Sequence, residues 1–138
     1  MEPILKMYKD SFPLRIASSV HGFSTECFRG CRVAILERSS RSQLVIERII
    51  FPPGTELPAH RHPNVSVLDF GISGNGSFSV RGHKFANDES NRAKLPLYVP
   101  RNIPHGGIVG DKGATIVSFQ YWYEWPPKES IFLDWEAA

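Results

Sequence analysis

No stretch of this chain stays apolar long enough to cross a bilayer as a helix, which takes about 20 consecutive apolar residues. The most apolar segment, "QLVIERIIF" (43–51), is already broken by a charged pair at its centre. The opening, "MEPILKMYKDSFPLRIASSVHGF", lacks the basic start and continuous apolar core of a signal peptide, so a cytoplasmic location with no membrane partner is the expectation. Cysteine is scarce: Cys27 and Cys31 are the only two. A lone C-x-x-x-C pair is half a zinc site at most, and both residues read as ordinary thiols. No block of one charge occurs either. The net charge is +2, and Arg29, Arg32, Arg38, Arg41 and Arg48 are dispersed among acidic and apolar neighbours. That pattern argues against nucleic acid as a partner. Missing too is any sustained 3.6-residue apolar period, which argues against a helical fold.

What the sequence does have is punctuation. Eleven glycines and eleven prolines are spread along 138 residues rather than gathered in a linker. Between them lie short β-branched or alternating segments: "RVAILER" (32–38), "QLVIERIIF" (43–51), "VSVLDF" (65–70), "GSFSVRG" (76–82), "LPLYVP" (95–100) and "ATIVSFQYW" (114–122). "SSRS" (39–42) reads as the hairpin turn between the first two. The polar run 86–94 reads as an exposed loop or a single helical turn. A short helix after Pro127, capped by Ser130, is a weaker expectation. Short strands at regular spacing imply an all-β sandwich or barrel in a single domain.

The chemistry-bearing residues are histidines. His60 and His62 stand two apart in "FPPGTELPAHRHPNVSVLDFG". In a strand, residues i and i+2 share a face about 6.5–7 Å apart, so both can converge on one ion. A third ligand has to come from elsewhere. His105, in "YVPRNIPHGG", follows a short strand and two prolines that stiffen its approach. His21, flanked by Gly22, and His83, where a hairpin turn is expected, are poorer candidates.

These residues resemble the two motifs of the cupins, small jelly-roll β-barrels. In the first motif, G-x5-H-x-H-x(3,4)-E-x6-G, Gly54 is followed by His60, His62, Val67 in the glutamate slot, and Gly74. In the second, G-x5-P-x-G-x2-H-x3-N, Lys94 takes the first glycine slot, followed by Pro100, Asn102, His105 and Val109. The likeness spans about residues 43 to 122. It implies a cupin double-stranded β-helix with its core over about 32–122, an N-terminal arm over 1–31 and a C-terminal extension over 123–138.

The resemblance further implies a divalent transition metal (Fe, Zn, Ni, Mn or Cu) on His60, His62 and His105. The usual fourth ligand is absent, because valine cannot coordinate. Three neutral imidazoles leave the ion its full charge, which favours an anionic or chelating ligand. The implied activity is that of a metal-dependent dioxygenase, or a related enzyme, acting on a small polar molecule. The alternatives are a non-catalytic binding or structural cupin and a metal-independent sugar isomerase or epimerase. The last wants an inward acid/base pair, and none is evident from spacing. Asp69, Tyr98, Phe119 and Tyr121 are the candidate pocket walls, with strand phase left open. Cupins often pair, so a homodimer is expected.

Overall fold

Leu44–Phe51 shows why the strands form where they do: β-branched and aromatic residues alternate across a sheet that is buried on both faces. The computed structural model describes residues 25–26, 30–90, 96–127, 131 and 136–138. Its strands are β1 (Thr25–Glu26), β2 (Arg32–Ser39), β3 (Leu44–Phe51), β4 (Glu56–Arg61), β5 (Val65–Val80), β6 (His83–Asn87), β7 (Leu97–Val99), β8 (His105–Trp122) and β9 (Glu136–Ala137). No helix forms among the described residues, and none there is long and apolar enough to cross a membrane. The helix expected after Pro127, with its cap at Ser130, lies outside the described residues, as do Cys27, His21, Lys94 and most of the N-terminal arm.

All pairings are antiparallel. β5 and β8 run alongside each other over most of their length, with register shifts at Gly71/Ser73 and Gly74/Gly76. These bulges bend the pair, so each long strand serves two leaves. In the first leaf, the end of β8 lies between β3 and the start of β5, with β2 and β1 outside β3 and β7 outside β5. In the second, the start of β8 lies between β4 and the end of β5, with β6 and β9 at the edges. Segments 65–70 and 76–82, separate in the sequence reading, are thus one strand. His105 and "ATIVSFQYW" likewise share one strand. Arg81 and Gly82, both with positive φ, close the tight hairpin between β5 and β6, the geometry that suits a two-residue loop.

Alternation in the first leaf sorts side chains onto two faces. Val45, Ile49 and Phe51 of β3, Val65 and Val67 of β5, and Ile116 and Trp122 of β8 pack between the leaves. Leu44, Ile46, Leu68, Val117 and Phe119 form a separate buried cluster on the opposite face, with Phe70, Tyr98 and Tyr121 against it. Cys31 is buried in the cluster around Ile49 and Phe51.

Candidate metal centre

His60 sits near the end of β4, directly opposite His105 at the start of β8. A register shift between Leu57 and His60 re-aims the end of β4, a common use of an irregularity beside a site. His62 follows the strand, and its carbonyl accepts a 2.9 Å hydrogen bond from the Asn102 amide. Asn102 has φ 64, and Ile103 N–H bonds back to Pro100 at 3.2 Å, so the proline-bounded segment before His105 is a tight turn. One loop therefore braces both His62 and His105. Two glycines after His105 let β8 pass close to its neighbours: a Cβ on Gly106 would lie 2.6 Å from the Leu57 carbonyl oxygen.

The three rings cluster. The His60 and His105 centroids are 4.2 Å apart, and His62 lies 5.0 Å from each. One nitrogen from each ring falls within a set whose members are all within 4.8 Å of one another. His62 is buried and the other two are half-buried. Protonation tests whether such a group suits a metal. His60 Nδ1 contacts the Pro58 carbonyl at 2.7 Å, and His105 Nδ1 contacts the Ile103 carbonyl at 2.9 Å. A carbonyl only accepts, so in each ring Nδ1 donates and Nε2 keeps its lone pair, the usual arrangement of a metal-binding histidine. Burial also keeps these rings neutral. It lowers the pKa of His60 despite the Pro58 carbonyl, and burial with the neighbouring His60 lowers that of His105 to about 4. The donor set therefore fits a divalent transition metal.

The histidines line a cavity of about 60 Å³ between the leaves, with Ile49, Phe51, Val67, Val99 and Ile116 as apolar walls. Val67, in the glutamate slot, is 2% exposed and faces this space. Asp69 lines it too, but outside the compact donor set. Tyr98, Phe119 and Tyr121 do not line it. They belong to the cluster on the other face of the leaf, because Phe119 and Tyr121 have the opposite parity to inward-facing Ile116, Ser118 and Trp122.

The sequence reading missed an inward polar network. Glu47, Ser118 and Asp69 lie in one row across β3, β8 and β5. The Gln120 amide donates to Glu47 at 2.5 Å, and Trp122 Nε1 donates to Gln120 at 3.1 Å. Burial pushes the Glu47 carboxyl upward, partly offset by Gln120. It pushes Asp69 up to about 7, with the Ser118 hydroxyl opposing and Glu47 reinforcing the rise. Parity held the signal: Glu47 alternates with Val45 and Ile49, so a charged residue stood at an inward position of an apolar strand.

Two bent antiparallel leaves closing over histidines from the end of β4 and the start of β8 define the class: the chain has the cupin fold. By sequence, no family model and no curated protein matches it. By structure it is similar to KdgF from Halomonas sp., at 14% identity and TM-score 0.60, covering 80% of this chain and 91% of that one. It is similar to an RmlC-like cupin from Shewanella frigidimarina, at 21% identity and TM-score 0.57, covering 74% and 86%. It is also similar to oxalate oxidase in complex with the substrate analogue glycolate, at 18% identity and TM-score 0.57, covering 77% of this chain and 57% of that one.

Proposed function

We propose that the chain holds one divalent transition metal between His60, His62 and His105 and uses it to bind and polarise a small oxygen-bearing molecule. The observation that carries this reading is the pair of Nδ1–carbonyl hydrogen bonds, which keeps the lone pair of His60 and of His105 on Nε2 in a compact donor set with His62. A bound ion would supply Lewis acidity there. The chain's own residues supply neutral ligands, a narrow apolar cavity and an acid group in its wall.

The finer reading is a metal-dependent dioxygenase that forms a homodimer. Imidazole suits iron, and the likeness to an oxalate oxidase that holds glycolate is in keeping with an oxidative reaction on a small carboxylate. One observation favours a different chemistry, proton transfer within an isomerase or epimerase: the buried Glu47 and Asp69 carboxyls facing the cavity side of the first leaf.

Elemental analysis of tag-free protein tests the centre. About one metal per chain is expected, with affinity lowered at least about 100-fold by alanine at any of the three histidines. A parent protein that takes up no added iron, zinc, nickel, manganese or copper overturns the reading. Oxygen uptake by iron-loaded protein with small hydroxy- and oxo-carboxylates separates the two chemistries.

A further inference from the structure

Asp69 is a polar group of the cavity that neither the histidine centre nor the packing of the barrel accounts for. Its Oδ1 is sealed from solvent and has no hydrogen-bond partner among the described residues, although the residue as a whole is only half-buried. An orphaned carboxyl oxygen inside a protein is costly, so its retention calls for a ligand or a function. It lines the cavity that the three histidines line.

The groups packed around it define its chemistry. From β8, Ser118 stands opposite it, with Gln120 beyond. From β3, Glu47 stands on the far side of Ser118 and is buried. From β7, Leu97 and Val99 are apolar. His60, His62 and His105 line the same cavity. No lysine or arginine lines the cavity among the described residues. Two carboxyls in an enclosed space without a nearby cationic side chain disfavour a doubly ionised pair.

The geometry points to Asp69, backed by Glu47, as the proton-exchanging residue of the pocket, acting at an oxygen of a small hydroxy- or oxo-carboxylate. This rests on the metal reading in one respect: the cation brings the anionic ligand to the cavity. The exchange balances without a co-reactant. The Oδ1–H proton passes to a ligand oxyanion, the bonding pair stays on Asp69 as carboxylate, and the ligand oxygen becomes a hydroxyl. The reverse step returns the proton. The ligand class follows from the walls. A cavity of about 60 Å³ has room for a few heavy atoms. A protonated Asp69 donates a hydrogen bond to an anion that an ionised one would repel. The buried rise of Asp69 to about 7 puts the exchange near neutrality.

Calorimetric titration of the zinc-loaded full chain with glycolate, at pH 6 to 8.5 in buffers of different ionisation heats, tests this. The parent is expected to take up about one proton on binding near pH 8, and to lose affinity about tenfold per pH unit above the Asp69 midpoint. Asp69→Asn should bind with no proton uptake and a flat pH profile while keeping its zinc. Glu47→Gln should keep the uptake but move its midpoint to lower pH, and it carries the test if Asp69→Asn does not fold. Parent-like proton uptake by Asp69→Asn overturns the inference, as does glycolate binding without proton uptake, or zinc binding without glycolate binding. If zinc itself does not bind, the metal reading fails on its own. Infrared difference spectra of the metal-free protein then decide. A protonated carboxyl that titrates near neutral pH and is absent from Asp69→Asn supports the assignment, and its absence from the parent overturns it.

Discussion

Asp69 gives the metal-free protein a distinctive pH response. Its folded pKa of about 7 lies above the ordinary 3.8, so the folded state holds the proton more tightly. The stability it contributes is therefore full below about pH 4, declines as pH rises toward 7, and is gone above that. Asparagine imitates the protonated form at every pH. Metal-free Asp69→Asn should exceed the parent by about 1–3 kcal/mol at pH 8 in urea denaturation, and the gap should shrink by pH 5. Val67 invites the opposite experiment. Val67→Glu restores the motif carboxylate at a buried position facing the centre. Zinc should bind it more tightly, and the metal-free variant should lose about 1–3 kcal/mol from the buried polar group. Scanning calorimetry with and without zinc checks both, and equal zinc stabilisation in variant and parent would show that residue 67 does not reach the ion. At this scale the histidines were legible because two-residue spacing and a proline-stiffened approach are local signals. Tyr98, Phe119 and Tyr121 were misplaced because strand phase depends on the other leaf, which spacing does not encode.

Among the strands, β8 positions the site most directly. Its first half lies between β4 and β5, and Gly106 and Gly107, just after His105, have no side chains to hold those neighbours apart. Gly106→Ala would set a Cβ against the Leu57 backbone, which cannot swing aside as a side-chain tip would. A loss of about 1–3 kcal/mol is expected, together with weaker metal binding, because the same displacement moves His105 away from His60. Thermal unfolding and zinc titration of the one variant measure both; a stability loss with unchanged zinc affinity would mean that β8 shifts without carrying His105. The strands were legible as segments but not as lengths. The glycines at 71, 74 and 76 read as breaks, whereas in the fold they mark bulges through which β5 continues. Glycine relieves crowding at a bend as readily as it ends a strand, and only the pairing partner distinguishes the two.

For the whole molecule, an ion held by His60 on β4, His62 just after it and His105 on β8 would be a brace across strands as well as a chemical device. An ion bound only by the folded state, present at about a hundred times its dissociation constant, adds about 2.7 kcal/mol. For a chain of this size that should raise the melting temperature by about 5–10 °C, reversed by chelator. A melting curve indifferent to both zinc and chelator would mean that the histidines do not hold the ion in the folded state. The sharing of β5 and β8 between leaves has a different consequence. His105 and Ser118 sit on one strand, and Asp69 and Ser79 on its partner, so cavity residues of both leaves hang from the same ladder. Amide hydrogens in the middle of that ladder, around Val117 and Phe119, should then exchange with solvent only when the entire domain opens, with the same denaturant sensitivity as global unfolding.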